Sequence, residues 1–109
     1  MTTFDDRENA FEKMHAHDAE MQFKAEARRN KLLGLWAAEK MGLSGDAADA
    51  YAKSVVIEDL KEVGDEDVFR KVSADLAGKS AGVADDEVRR RMQEFLTEAK
   101  AQIVSEAGA

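Results

Sequence analysis

The sequence predicts an all-α protein, a four-helix bundle preceded by a mobile N-terminal segment. The chain has no proline, and only 6% of its residues are aromatic against 36% charged, with alanine abundant throughout; this mixture favours helices and leaves little material for strands. Apolar residues also recur at helical spacing in separate stretches, divided by breaks that carry glycine. A chain of 109 residues makes one domain with a small core. We divide it into a segment at 1–18, a bundle at 19–105 and a frayed tail at 106–109.

Residues 1–18 open with Thr3, an N-cap candidate with Asp6 three positions on, and Asp5 and Asp6 suit the positive end of a helix. Phe4, Phe11, Met14 and Met21 form one narrow apolar stripe on an otherwise charged stretch. So little apolar area does not offset an ordering entropy of about 1–2 kcal/mol per residue, so the segment is expected to be mobile in the free protein. Two readings stand: a helix that folds into a partner's groove with Phe4 and Phe11 as anchors, or a frayed terminus whose aromatics brush the domain surface.

The first bundle helix lies in Met21–Gly42. With Leu32 as reference and about 100° per residue, Met21, Ala25, Leu32, Trp36 and Leu43 fall within about 40° of one line, flanked by Leu35. Arg28 and Arg29 sit on the shoulders of that stripe and Glu39 lies on it. After the break at Gly42–Gly45, with Ser44 or Asp46 as cap, a second helix is predicted over 46–62. Its face is Ala48, Tyr51, Ala52, Val55, Val56, Leu60 and Val63, and the short turn before it makes it an antiparallel neighbour of the first. Asp65 caps a third and shortest helix over 66–78, with Val68, Phe69, Val72 and Leu76 inward. Past the flexible GKSAG stretch, Asp85 starts a fourth helix along Val88, Met92, Phe95, Leu96, Ala99 and Ile103. On it Arg89 and Arg91 flank the stripe, Arg90 points away, and the SEAGA tail is expected to fray.

A net charge of −7 argues against general nucleic-acid binding and against anionic membranes, and leaves a protein partner. No apolar run approaches the roughly 20 residues of a membrane span, and MTTFDDRENAFEK is too acidic for a secretory signal, so a cytoplasmic location without membrane insertion is expected. The absence of cysteine removes disulfides, thiolate metal sites and thiol nucleophiles. His15 and His17 would splay about 200° apart on a helix, so no metal site is expected. GKS at 78–80 resembles the end of a P-loop, but Ser73 stands where its first glycine belongs and no strand precedes it. Without a Ser-His-Asp arrangement or a distinctive carboxylate pair, no enzyme is expected.

One constellation remains. Arg28, Arg29 and Lys31 precede Trp36 by a little over one or two turns, and Arg89 and Arg91 recur later; arginine forks with an adjacent aromatic suit a phosphate and a base. The alternative reading has Arg28 and Arg29 laying their stems over the core and pairing with carboxylates of a neighbouring helix, with Trp36 as the largest core residue.

The blocks MTTFDDRENAFE, MQFKAEARRNKLLGLWAAEKMG, GDEDVFRKVSADL and EVRRRM, in this order over nearly the whole chain, resemble the zeta subunit family, the ATPase inhibitor of alphaproteobacterial F-type ATP synthases. Ala84 departs from the Ser or Asp helix cap we would expect there, a duty Asp85 can assume. The resemblance implies a four-helix bundle with an inhibitory N-terminal segment that enters the alpha/beta catalytic interface and stalls rotation against the gamma subunit. Carried over, that assigns inhibition to residues 2–18 with Phe4, Phe11 and Met14. It further implies no required cofactor, ADP or ATP as a regulatory ligand, and peripheral association with the inner membrane through ATP synthase. We expect the free protein to be monomeric. Placing the nucleotide at Arg28, Arg29, Lys31, Trp36, Arg89 and Arg91 is our own assignment. The competing functional readings are a nucleotide-sensing bundle and a helical adaptor for another protein.

Overall fold

The computed structural model describes residues 19–61 and 64–108, with side chains to Glu106. Four helices follow one another: α1 (Ala19–Lys40), α2 (Gly45–Glu58), α3 (Glu66–Gly78) and α4 (Asp85–Gly108). No strand occurs among the described residues. The segment expected to be mobile, with Phe4, Phe11, Met14, His15 and His17, lies outside them.

α1 is the axis of the bundle and packs chiefly on α2 and α4. It ends where the backbone must turn left-handed: Gly42 has φ +80°, Leu43 N–H donates to Ala38 O at 2.8 Å and Gly42 N–H to Glu39 O at 3.0 Å. This pair of bonds satisfies the last carbonyls of the helix and reverses the chain into α2. The two helices then approach until backbones touch, because Gly34 presents no side chain: a Cβ there would stand 2.6 Å from Ala52 Cα. α3 ends in the same bond pattern, Ala81 N–H to Leu76 O at 3.1 Å and Ser80 N–H to Ala77 O at 3.0 Å, but here a serine, Ser80, takes the left-handed position at φ +52°. GKS is therefore a helix terminus after a helix, not a phosphate-binding loop after a strand.

The main core joins Leu33 and Ala37 of α1, Val55 of α2, Val68, Val72 and Leu76 of α3, and Val88 and Met92 of α4. A second cluster, Ala25 and Ile103 with Met21, Leu96 and Val104, involves α1 and α4 alone. α2 and α3 are latched by Tyr51, whose hydroxyl donates to Asp75 Oδ2 at 2.9 Å while Lys71 Nζ holds the same oxygen at 3.0 Å. Burial first, and then the Asp75 carboxylate, push the Tyr51 phenol well above its ordinary pKa.

Several expectations need correction. The buried line of α1 is Ala25, Arg29, Asn30, Leu33, Gly34, Ala37 and Ala38, about one residue (~100°) round from the predicted stripe. Leu32, Leu35 and Trp36 are half-buried, since α1 is covered on one side by α2 at its glycine and on another by α4. α2 stops at Glu58 rather than residue 62, and Leu60, predicted inward, is 64% exposed in the turn beyond it. Neither Ser44 nor Asp65 makes a side-chain cap bond; Asp65 leans towards Arg29 instead. The tail expected to fray at 106–109 is helical to Gly108, and its Glu106 is paired with Arg28.

Candidate functional site

Arg28 projects from α1 onto the last turns of α4, where its guanidinium donates to both carboxylate oxygens of Glu106, one at 3.1 Å, and to Gln102 Oε1 at 3.3 Å. The arginine holds the Glu106 carboxyl below its usual range. A fork engaged on both prongs is a structural clasp. Lys31, almost one turn further along α1, is exposed in a shallow groove with Asp49, Ala52, Lys53 and Val56 of α2.

Arg29 is only 3% exposed, and its neighbours decide its state. Its Nε–H donates to Asn30 Oδ1 at 2.6 Å, and its terminal nitrogen stands 3.8 Å from Asp65 Oδ2. Removing the carboxylates beside a buried guanidinium is costly, and the α2–α3 corner supplies two to Arg29, Asp59 and Asp65. Asp67 is itself 3% exposed; one of its oxygens accepts from Val68 N–H at 2.9 Å and the other has no hydrogen-bond partner. Burial pushes the Asp59 carboxyl up, Asn30 and Arg29 pull it down, and Asp67 and Asp65 add to the rise. The Asn30 amide approaches Asp59 without hydrogen-bond geometry, leaving its Nδ2 unpaired.

Arg29 also lines a cleft of ≈ 380 Å³ with Asp65, Arg89, Arg90, Met92, Gln93 and Leu96. The α4 arginines reach it from the helix face that carries 89, 93 and 96. Arg89 spans to α3, pairing with Glu66 at 2.9 Å and stacking its guanidinium 3.7 Å from the Phe69 ring centre, and it holds the Glu66 carboxyl below the usual range. Arg90 stands 3.9 Å from Glu87. Each guanidinium in this cleft therefore has a carboxylate near it, and an incoming anion would have to displace those carboxylates.

Trp36 and Arg91 lie elsewhere. The Arg91 guanidinium is 5.7 Å from the Trp36 ring centre and 6.0 Å from that of Phe95, and pairs with Glu94 at 3.3 Å. Trp36 Nε1 and Arg91 Nε are buried without acceptors.

The six predicted nucleotide-site residues thus fall into four places. Arg29 and Arg89 share a cleft, Trp36 and Arg91 stack on each other, and Arg28 and Lys31 stand apart. Arg90, read from the sequence as pointing away, lines the cleft. Its spacing from Arg89 gave no sign of this, because the other wall of the cleft comes from Arg29 of α1 and from Asp65, both distant from α4 in the chain. Asp65 was read as a helix cap; a charged Arg29 next to the core stripe was the available signal that a carboxylate would partner it. Among the described residues no group of three or more His, Asp or Glu is placed to hold a metal, and no helix is long and apolar enough to cross a membrane.

The model of the family described as ATPase inhibitor subunit zeta matches residues 1–102, the segment and nearly all of the bundle. The chain belongs to this family. It is thereby placed among inhibitor subunits, which associate with an ATPase, and the four helices carry the fold that the sequence blocks implied. A protein whose structure was determined by solution NMR is similar to it, at 56% identity over 79% of this chain and 98% of that one, with a TM-score of 0.71. No curated protein matches the chain.

Proposed function

We propose that the protein is a non-catalytic inhibitory subunit of an F-type ATP synthase, which blocks ATP hydrolysis by inserting residues 2–18 at the alpha/beta catalytic interface and stalling rotation against gamma. The observation that carries this is the reach of the family match, which begins at residue 1 and so includes the polar segment with its Phe4, Phe11 and Met14 stripe. Such a stripe, too narrow to hold a free helix, gains its burial in a partner's groove. The bundle serves as the base: α1 starts at Ala19, and the Arg28 clasp fixes its first turns to α4. The protein would then work in the cytoplasm, against the membrane only through the synthase. Purified full-length protein and a chain lacking residues 1–18, each added to the cognate ATPase, test the reading. Full-length protein inhibits and the shortened chain does not; equal inhibition by both would remove the segment from the mechanism.

A second reading, binding of ADP or ATP as a regulatory ligand, is favoured by the cleft that gathers Arg29, Arg89 and Arg90 beside Gln93. Its volume suits a ligand of that class, and three guanidinium groups suit a diphosphate. ADP titration followed by amide shifts checks it. Movement centred on Asp65 and Arg89–Gln93 supports the cleft, whereas movement confined to the Trp36–Arg91 pair would transfer the ligand there.

A further inference from the structure

Among the described residues, three large hydrophobic side chains stay exposed: Phe23 at 57%, Ile57 at 51% and Leu60 at 64%. Isolated exposed hydrophobics are ordinary on any protein surface, but these three share one end of the bundle. The chain reverses at Gly42–Gly45, and the contact of Gly34 with Ala52 sets α1 and α2 antiparallel. The bonds from Arg28 to Gln102 and Glu106 set α4 antiparallel to α1 as well. The start of α1 therefore lies beside the ends of α2 and α4. Phe23, Ala27, Asn30 and Gly34 recur at four, three and four residues, which is one line along α1, and Gly34 shows that this line faces α2. Counting from that contact, Leu60 stands about level with Ala27, so it and Phe23 are roughly one turn, ~5 Å, apart along the axis.

This is also the end from which residues 1–18 depart, since α1 begins at Ala19, about 6 Å along the helix from Phe23. On the inhibitory reading, a segment seated inside the ATPase would bring this end of the bundle towards the mouth of the cleft it enters. The opposite end, at Gly42–Gly45 and Gly78–Gly82, has no large exposed hydrophobic residue.

We propose that Phe23, Ile57 and Leu60 form an apolar collar that packs against the ATPase surface surrounding the point where the N-terminal segment enters. The collar rests on the inhibitory reading above and adds to it a second, bundle-borne contact with the same partner. The segment supplies the block, and the collar adds residence time by burying apolar area around the tether.

The test uses the full chain with Phe23→Gln, Ile57→Gln and Leu60→Gln together, with glutamine keeping the helical preference. The concentration giving half-inhibition of the ATPase should rise at least tenfold, with complete inhibition still reached at saturation and the melting temperature of the free protein unchanged. Leu60→Gln alone, in the turn beyond α2, should give a rise of at least threefold, and it serves where the triple variant fails to fold. Half-inhibition at the wild-type concentration by the well-folded variants overturns the collar. A chain lacking residues 1–18 separates the two claims. If it still inhibits, the inhibitory reading fails; if it is inactive while the triple variant equals wild type, only the collar fails. The third outcome concerns the free protein: if deleting residues 1–18 shifts the amide signals of Phe23, Ile57 and Leu60 together, the segment itself covers the patch and the collar is overturned.

Discussion

Replacing Gly34 with alanine tests the α1–α2 packing most directly, because two effects of known size oppose each other there. In an exposed helix interior the change would add about 1 kcal/mol of stability through helix propensity. At Gly34 the new Cβ would stand 2.6 Å from Ala52 Cα, 3.1 Å from Ala52 Cβ and 3.3 Å from Val55 Cγ2. The first of these is backbone and has no rotamer to yield, so the helices must separate by roughly 1 Å. Leu33, Ala37 and Val55, fully buried on either side of the crossing, would lose contact together. Overpacking of a closed core costs about 1–3 kcal/mol, and lost contacts along the crossing add to it. Net of the propensity gain, Gly34→Ala should destabilise by about 1–3 kcal/mol, a fall in melting temperature of about 5–20 °C for a domain of this size. Urea unfolding followed by helical circular dichroism checks it, with a lower midpoint at an unchanged slope. Gly78→Ala is the counterpart: at the end of α3, a Cβ meets nothing within 4 Å, and the variant should be as stable as wild type or up to about 1 kcal/mol more. A neutral or stabilising Gly34→Ala would show that the helices can part at no cost, and would refute the close crossing.

Three further substitutions follow from the helix ends and the buried corner. Ser80 holds a left-handed φ of +52° with its Cβ in the way, so Ser80→Gly should stabilise by about 0.5–1 kcal/mol, read from the urea midpoint. Ala84 O accepts from Glu87 and Val88 N–H at the start of α4, but an alanine side chain caps neither, so Ala84→Asp should add about 0.5–1.5 kcal/mol. Part of that gain should vanish below about pH 4, when the new carboxyl protonates. Asp59 has a carboxyl raised above its ordinary pKa, chiefly by burial, so its ionised form is the unfavourable one in the folded state. The folded state holds that proton more tightly than the unfolded chain, so the stabilising contribution is complete below the unfolded pKa and is lost as pH rises through the folded one. Asp59→Asn should therefore be more stable than wild type at neutral pH. The difference should close on acidification through the carboxylate range, and an equal gain at every pH would show that titration is not its source.

The sequence was most legible where a helix buries one side only. α3 has a single buried side, and both its limits and its inward residues Val68, Val72 and Leu76 follow from periodicity. α1 did not yield its face in the same way, because it is enclosed on two sides and its contact with α2 is made by Gly34, which a hydrophobic pattern does not register. The small residues Ala37 and Ala38 fill that crossing where the larger Leu32, Leu35 and Trp36 draw the eye. The candidate site was legible as chemistry and not as place. Arg29 near the core stripe signalled a buried charge, but its carboxylates lie on the α2–α3 corner, about thirty residues away in the chain. Periodicity orders residues within a helix and is silent on which helix end faces which.

The short α3 gives the bundle two unlike ends. Four helices meet around Leu33, Val55, Val72 and Met92, whereas the cluster of Ala25 and Ile103 has walls from α1 and α4 only. Each fully buried leucine or isoleucine contributes about 1.5–3 kcal/mol, so the thick part holds most of the stabilising burial. The thin part is where residues 1–18 join, since α1 begins at Ala19. There α1 is secured by a small apolar cluster and by the Arg28 fork on Gln102 and Glu106, contacts that the last turns of α4 supply. Only Glu106 among these contacts belongs to the tail that was expected to fray, and its pairing with Arg28 ties that tail to α1. A preformed helix end is the least costly place to extend a helix, because propagation adds one ordered residue at a time and needs no new nucleus. On the inhibitory reading proposed above, segment residues folding onto a partner from Ala19 backwards would thus continue α1 rather than nucleate afresh, and the α4 terminus would lower the entropic cost of inhibition.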